Sequence, residues 1–428
     1  MRVLMFGWEF PPHIAGGLGT ACYGMTKGLA HAGVEVLFVM PSASGDEDQT
    51  SVRIINASDV AVYDNCHNID EFLSKVQFLR VGSNLHPYID PTDFTELVEE
   101  EQRNQREEFK FWFRQKYKFS GKYGKNLMEE VSRYAMVAGA IAQEQQFDVI
   151  HAHDWLTYYA GIAAKRVSGK PLVIHVHATS FDRGSADNID TRVFAIEQRG
   201  MQEADKVITV SDLTRNIVIS KYGIPAHKVF TLHNAVVPTD KKVEREKNVD
   251  EKIVTFLGRV TFQKGPDYFV ETAKRVLDKD PNVRFVLAGD GDMMQHVIER
   301  VAELGISDRF HFTGFLRGAD IDKMFGMSDV YVMPSISEPF GISPLEAMRA
   351  KVPVVISKQS GVAEVLQHAI KVDFWDIDAT ADAIYGLLHY PALSKLFADK
   401  GEEEVNNLKW ENVAKKLKVI YEKTLHYE

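Results

Sequence analysis

The sequence has few of the features that mark secreted, membrane-spanning or nucleic-acid-binding proteins. Its two cysteines, Cys22 and Cys66, match neither a disulfide framework nor a metal-binding spacing. Such sparse cysteine usage fits a reducing compartment, and we expect a cytoplasmic protein. No run of about 18 apolar residues occurs, so no transmembrane segment is predicted. The short apolar stretch at the start is interrupted by Glu9, which favours a first β-strand over a secretion signal.

A surplus of positive charge is also missing. The 428 residues include 50 Lys and Arg against 60 Asp and Glu, which gives a net charge of −10. Nucleic acids and anionic membranes are bound by clustered Lys and Arg, so no nucleic-acid partner is expected. The length suffices for two or three domains, and the hydrophobic fraction of 45% is typical of globular proteins.

Short β-branched segments alternate with amphipathic segments through most of the chain. This alternation predicts parallel strands with helices on both faces of each sheet. The alternation stops at a charged stretch, 233–252, and then restarts. The predicted strands are 3–7, 35–40, 148–151, 172–176, 206–210 and 228–232 before this stretch, and 253–257, 283–288, 309–313, 330–333 and 352–356 after it.

These patterns predict an α/β fold with two Rossmann-like, doubly wound domains. We place the first domain at 1–235 and the second at 236–409. Residues 83–147 depart from the alternation and predict a helical insertion in the first domain. The amphipathic segment 410–428 predicts a C-terminal helix that packs back on the first domain.

The segment 109–119, FKFWFRQKYKF, interleaves aromatic and basic residues. One interpretation is a helix whose aromatic side chains pack on the core while the cations stay solvated. The other is a surface for a partner or a polymeric sugar, since sugar rings stack on aromatic rings. The sequence does not choose between them.

Candidate ligand-binding residues follow the predicted strands, because ligands of doubly wound sheets bind beyond the carboxyl ends of the strands. After the first strand, Gly16, Gly17 and Gly19 open a helix whose backbone N–H groups could accept an anion. A flexible turn is the alternative. His151 and His153 follow a later strand and would point to the same side of it. The arrangement recurs one strand later in 175–177, but no metal site is predicted.

The second domain places two cations in one loop. Arg259 and Lys264 follow the strand 253–257, and Pro266 then marks the first position of a helix. Two cations in front of a helix N-terminus suit a diphosphate group. The alternative is a pair of unrelated surface charges.

The segment SEPFGISPLEAM holds two glutamates, Glu338 and Glu346, separated by seven residues. Ser343, Pro344 and Glu346 match a capping box with proline at the first helical position. A cap explains Glu346 but leaves Glu338 without a role.

Four motifs, in this order, resemble those of retaining glycosyltransferases with the GT-B fold, in the large family 4 class. They are GGLG, HAHDW, GRVTFQKG and EPFGISPLE, the last with the E-x7-E signature. The resemblance spans nearly the whole chain. The first two motifs also resemble small bacterial and archaeal glycogen and starch synthases.

The resemblance implies two domains facing a central cleft and a metal-independent transfer of a hexosyl group. The expected donor is a nucleotide-diphosphate sugar carrying glucose, and no other cofactor is expected. The expected acceptor is an α-1,4-glucan, as for glycogen synthases. An exopolysaccharide, a lipid-linked sugar or a small molecule is the alternative acceptor.

The resemblance also implies roles for individual residues. Arg259 and Lys264 would bind the donor diphosphate, and Glu338 would lie against the donor sugar. Glu346 would accept hydrogen bonds from the ribose. The remaining implied contacts are a sugar hydroxyl for His153, the acceptor for Glu9, the diphosphate for Gly16 and Gly17, and the sugar and phosphate for the backbone of Gly341, Ile342 and Ser343.

Two other classes of protein compete with this interpretation. A glycoside hydrolase also uses two carboxylates, but Glu346 in the first turn of a helix would stay ionised and would make a poor general acid. A two-domain sugar-binding receptor would not require Arg259 and Lys264 for a neutral sugar.

Overall fold

The computed structural model describes residues 1–13, 16–63, 114–122, 126–184, 189–236, 247 and 249–425. These residues form two lobes, each built on a parallel sheet with helices on both faces, as predicted. Among the described residues, no helix combines the length and the apolar character needed to cross a bilayer.

The first lobe contains a seven-stranded sheet in the order β3-β2-β1-β6-β7-β8-β9, with every neighbouring pair parallel. The strand order reverses between β1 and β6, which places a switch point there. A separate antiparallel pair joins β4 to β5. The strands are β1 (Arg2–Phe6), β2 (Glu35–Met40), β3 (Arg53–Asn56), β4 (Ala61–Tyr63), β5 (Arg114–Lys116), β6 (Val149–His153), β7 (Leu172–Val176), β8 (Lys206–Thr209) and β9 (Val229–Thr231).

Both faces of this sheet are buried because its strands are apolar at successive positions. In β1, Leu4 and Phe6 pack on one side, and Val3 and Met5 pack on the other. The helices of this lobe are α1 (Gly17–His31), α2 (Leu127–Glu144), α3 (Trp155–Ser168), α4 (Ser180–Arg183), α5 (Thr191–Glu203) and α6 (Asp212–Tyr222).

The second lobe contains a six-stranded parallel sheet in the order β12-β11-β10-β13-β14-β15, which reverses between β10 and β13. Its strands are β10 (Lys252–Leu257), β11 (Val283–Ala288), β12 (Phe310–Gly314), β13 (Val330–Met333), β14 (Val354–Ser357) and β15 (Ile370–Val372). Its helices are α7 (Pro266–Leu277), α8 (Met294–Glu303), α9 (Ala319–Met327), α10 (Ser343–Arg349), α11 (Ile377–His389) and α12 (Pro391–Asn406).

The last helix, α13 (Trp410–Leu425), packs on α1 of the first lobe. Two glycines of α1 permit this approach. A β-carbon at Gly24 would stand 2.1 Å from Nε1 of Trp410, and one at Gly28 would stand 2.6 Å from the Trp410 carbonyl oxygen. Trp410 is buried and joins the core of the first lobe.

The sequence-based prediction of strands and helices differs from the structure in two places. The edge strands β3 and β15 were missed, because both are short and only partly buried. Within the aromatic and basic segment, residues 114–116 form a strand, so a single helix there is wrong. Residues 83–113 lie outside the described residues. They include the first part of the predicted insertion and residues 109–113 of the aromatic and basic segment. The rest of the insertion includes α2.

Candidate active site in the cleft between the lobes

The cleft is bounded by the N-terminal ends of α1 and α10. A β-carbon at Gly17 would stand 3.6 Å from Cδ1 of Ile342, so the glycine loop of one lobe faces the glutamate segment of the other. In the described part of the chain, no atom beyond its chain neighbours lies within 4 Å of where a β-carbon on Gly16 would stand. The structure therefore brings together two segments that are far apart in the sequence.

Glu9 lies beneath the glycine loop. Its carboxylate is buried, and its Oε1 accepts a hydrogen bond of 3.1 Å from the N–H of Gly19, in the first turn of α1. A carboxylate is stabilised at this end of a helix by the unpaired N–H groups. Glu9 thus positions the start of α1. This structural role differs from the position near an acceptor that the resemblance implies.

Lys264 and Glu338 form an ion pair between Nζ and Oε2 at the floor of the cleft. Glu338 is largely buried and also accepts a hydrogen bond of 3.3 Å from Oγ of Ser335. Backbone hydrogen bonds position the glutamate, because its N–H donates to the carbonyl of Gln359 and its carbonyl accepts from the N–H of Gly361. The ammonium is therefore held by a carboxylate that is itself well supported.

The loop that carries Lys264 is shaped by Gly265. This glycine has a φ of 65°, and a β-carbon there would stand 2.2 Å from the carbonyl oxygen of Pro334. The N–H of Ile336 donates to the carbonyl of Gln263 and ties the two loops together. Helix α7 begins at Pro266, as predicted.

Arg259 lies in the same loop as Lys264 but differs from it in exposure and pairing. Its side chain is exposed, and within the described ranges its guanidinium has no hydrogen-bonding or ion-pairing partner. The loop thus presents one paired cation and one exposed cation.

The start of α10 corrects the predicted capping box. The helix begins at Ser343, its N-cap residue is Ile342, and among the described residues no side chain caps it. The Oγ of Ser343 instead forms a 2.8 Å hydrogen bond with the hydroxyl of buried Tyr331. Gly341, with a φ of 99°, makes the turn into the helix. The predicted capping box is wrong because Ser343 bonds the hydroxyl of Tyr331, which is distant in sequence, and does not bond a backbone N–H of its own helix.

Glu346 lies half-buried in the first turn of α10. Burial raises the pKa of its carboxyl above the usual glutamate value, and nearby Arg349 only partly opposes this shift. Desolvation thus opposes the stabilisation of the ionised carboxylate that the sequence predicts at this helix N-terminus.

Four histidines gather where β6 and β7 end. His151, His153 and His175 are fully buried, and His177 is half-buried. Adjacent rings stack, with centroids 4.2 Å apart for His151 and His153 and 4.4 Å apart for His175 and His177. Nδ1 of His153 lies 2.9 Å from Nε2 of His177. His177 is thus the more accessible imidazole of the pair.

Burial keeps the cluster uncharged. It lowers the pKa of His151 and of His177 to about 3, and the pKa values of His153 and His175 also lie well below the usual histidine value. Each ring therefore offers a lone pair at neutral pH.

Comparisons with known proteins identify the family. The model of the glycosyl transferases group 1 matches residues 238–404, and the model of glycosyltransferase family 4 matches residues 96–240. The chain is a glycosyltransferase of the group 1 and family 4 type.

Relatives of this glycosyltransferase extend over nearly its whole length. An uncharacterized glycosyltransferase of Methanocaldococcus jannaschii is 28% identical over 98% of both chains. A glycogen synthase of Mycobacterium tuberculosis is 23% identical over 98% of this chain and 94% of its own. A D-inositol 3-phosphate glycosyltransferase of Mycobacterium bovis is 28% identical over 67% of this chain and 64% of its own.

Solved structures share the GT-B fold of this glycosyltransferase. Sucrose-phosphate synthase from Thermosynechococcus elongatus has a TM-score of 0.69 at 18% identity, with both chains covered completely. The catalytic domain of starch synthase IV from Arabidopsis thaliana, bound to ADP and acarbose, has a TM-score of 0.68 at 16% identity over 99% of both chains.

Other residues at the cleft of this glycosyltransferase were not found from the sequence. Oγ of Ser337 donates a 2.6 Å hydrogen bond to Asp182 of the opposite lobe. Behind it, Arg183 pairs with Asp154, whose pKa burial raises to about 6. Glu364 accepts hydrogen bonds of 2.8 Å from two backbone N–H groups at the start of α6. The contacts of Ser337 and Glu364 depend on how the lobes meet, and no local pattern signals any of these contacts.

Proposed function

We propose that this glycosyltransferase moves a glucosyl group from a nucleotide-diphosphate sugar to a carbohydrate acceptor, with retention of configuration and without a metal at the diphosphate. An α-1,4-glucan is the acceptor we favour. The observation that carries the proposal is the ion pair of Lys264 and Glu338, which faces the cleft opposite Gly17.

The charges of the cleft match the demands of donor cleavage. As the bond between sugar C1 and the diphosphate oxygen breaks, negative charge grows on the leaving diphosphate and positive charge grows on the sugar. Preorganised cations stabilise the negative charge on the leaving diphosphate, because they already lie where that charge develops. Lys264 is already held in place, and exposed Arg259 can turn toward a bound phosphate.

Glu338 serves a second purpose in this scheme. Lys264 can donate to a phosphate oxygen while it remains bonded to the carboxylate, because an ammonium has three N–H donors. The carboxylate then lies beside the sugar that develops positive charge. One ion pair thus provides a cation for the leaving group and an anion for the sugar.

Retention requires the acceptor to attack from the face that the diphosphate leaves. In the step we propose, the acceptor oxygen bonds to C1, the C1–O bond to the diphosphate breaks, and the acceptor proton passes to the leaving diphosphate oxygen. No protein carboxylate acts as the nucleophile or the general acid. Glu346 would accept hydrogen bonds from the ribose, while the start of α10 and Gly16 approach the donor.

On the sugar side, His153 and His177 would act as one unit. Both nitrogens of His153 are buried, and one of them is bonded to His177. A sugar hydroxyl would therefore be contacted through the more accessible His177, with His153 holding that ring in place.

A donor panel tests the proposal. UDP- and ADP-sugars are incubated with the protein alone, with glycogen, and with inositol phosphate, and nucleotide release is measured. We expect release from a glucose donor to rise with glycogen, and the anomeric configuration of the new linkage to be α. A rise only with inositol phosphate would favour the small-molecule acceptor suggested by the inositol-phosphate relative. Micromolar binding of free sugar with no turnover of any donor would contradict the proposal.

A further inference from the structure

The histidine cluster contains more ring nitrogens than the described part of the chain provides with hydrogen-bonding partners. Within the described residues, Nε2 of His151, Nε2 of His153 and both ring nitrogens of His175 are buried and have no hydrogen-bonding partner. A buried polar atom without a partner costs about 1–3 kcal/mol. Several such atoms at one place require an explanation, such as a bound ion.

The geometry of the three fully buried histidines points to a ligand set. One ring nitrogen from each of His151, His153 and His175 can be chosen so that all three lie within 4.8 Å of one another. They come from neighbouring strands, since His153 is the register partner of His175. Tetrahedral zinc with bonds of about 2.0–2.1 Å requires nitrogens about 3.3 Å apart, so the rings would rotate on binding to bring their nitrogens together.

The contacts behind these rings select the nitrogens that would bind. Nδ1 of His151 lies 2.5 Å from the hydroxyl of Tyr421, and Nδ1 of His153 lies 2.9 Å from Nε2 of His177. With a proton on each Nδ1, both Nε2 lone pairs are free. Metal-bound histidines commonly donate their other N–H in this way, which orients the ring.

We propose that His151, His153 and His175 bind one divalent transition metal ion beneath the sugar side of the cleft. Zn²⁺ is the ion we favour, because imidazole ligands suit it. Tyr421 and His177 orient two of the three ligands. The ion lies apart from the diphosphate loop, ties β6 to β7, and takes no part in the transfer. The inference does not depend on the proposed function.

A second possible set, Cys22 with His153 and His177, shares one histidine with this site. There, Nδ1 of His153 and Nε2 of His177 are already hydrogen-bonded to each other. The three-histidine set is preferred because it uses ring nitrogens for which the described residues offer no other partner. The two sets differ in whether a thiolate binds the metal.

The test uses full-length protein purified through a tag without histidine and without chelator. Metal content is measured by mass spectrometry, and Co²⁺ is then titrated into chelator-stripped protein. We expect one metal ion per chain and the visible absorption of low-coordinate Co²⁺, without a thiolate-to-cobalt band, in both the wild type and Cys22→Ala. No bound metal and no Co²⁺ spectrum in the wild type would overturn the proposal, as would loss of the spectrum in Cys22→Ala.

Three histidine variants locate the site. His175→Ala should abolish the Co²⁺ spectrum, while His311→Ala, on a strand of the other lobe, should leave it unchanged. His175 is buried, so His177→Ala provides a milder change that keeps all three ligands. It should weaken metal affinity about 10- to 100-fold through loss of the oriented ring. Unchanged affinity in His177→Ala, or a lost spectrum in His311→Ala, would count against the site.

Discussion

Lys264 and Glu338 are 74 positions apart in the sequence and form an ion pair at the floor of the cleft. The lysine follows β10, the glutamate follows β13, and these two strands are neighbours at the point where the order of the second sheet reverses. Parallel strands end at one edge of a sheet, so residues that follow neighbouring strands meet there.

Lys264→Ala should lower kcat at least about 100-fold, because one preorganised contact to the developing charge is lost. Initial rates with saturating donor measure the effect. Lys279→Ala, which removes a surface ammonium paired with Asp382, is the matched control and should behave like the wild type. A loss in Lys264→Ala of less than about tenfold would argue against a diphosphate role.

Gly17→Ala should lower kcat/KM about 10- to 100-fold, since a methyl group would stand between the donor and the backbone that approaches it. The melting temperature should not fall, because the added β-carbon meets Ile342 at an ordinary contact distance of 3.6 Å. Gly139→Ala is the control, with the same 3.6 Å to Val167 but a place away from the cleft. Equal activity in both variants would exclude close donor approach at Gly17.

The KM for the donor should rise as the pH falls, because in the proposed mechanism Glu346 binds the ribose, and its protonated form accepts hydrogen bonds poorly. Burial raises the pKa of this carboxyl, so the rise should begin above the pH range in which ordinary glutamates titrate. Below that pKa, KM should increase up to about tenfold per pH unit. Glu346→Gln should bind the donor weakly with no such pH dependence. The same pH profile in Glu346→Gln would assign the titration elsewhere.

Added Mg²⁺ or Mn²⁺ should not increase the initial rate of transfer, because in the proposed mechanism Lys264 and Arg259 supply the positive charge at the diphosphate. The measurement compares rates with EDTA, with each ion, and without addition. Activity that EDTA abolishes and Mg²⁺ or Mn²⁺ restores would refute the mechanism. This outcome is separable from the histidine site, which is tested with Zn²⁺ and Co²⁺ by metal content and spectrum.

Glu364→Ala should loosen the contact between the lobes. This carboxylate of the second lobe accepts hydrogen bonds from the N–H groups of Asp212 and Leu213 and from His233. Its loss should cost about 1 kcal/mol of stability, as for a helix cap, and should increase the radius of gyration in X-ray scattering.

The control for this change is Glu404→Ala. Glu404 makes the same kind of contacts, to the N–H groups of Gln367 and His368, but within the second lobe. It should lose similar stability without a change in radius. A larger radius in both variants, or in neither, would contradict a role for Glu364 in holding the two lobes together.

The sequence by itself determined the two-lobed plan and most strands, because buried parallel strands leave continuous apolar segments and their order along the chain is visible. It also pointed to Lys264, Glu338 and the glycine loop, since residues after strand ends are expected at the ligand edge. Donor-binding roles for these residues remain predictions. The edge strands β3 and β15 were missed because they are short and only partly buried, whereas the edge strands β9 and β12 were predicted.

Only the tertiary structure decided how the individual polar groups are used. Ser343 bonds Tyr331 instead of capping its helix, and burial raises the pKa of Glu346 despite the helix N-terminus. The stack of four histidines forms because β6 lies beside β7 in a particular register, and Tyr421 reaches it from the end of the chain. Such contacts follow from strand register, lobe packing and desolvation, which act between residues distant in sequence and leave no local trace.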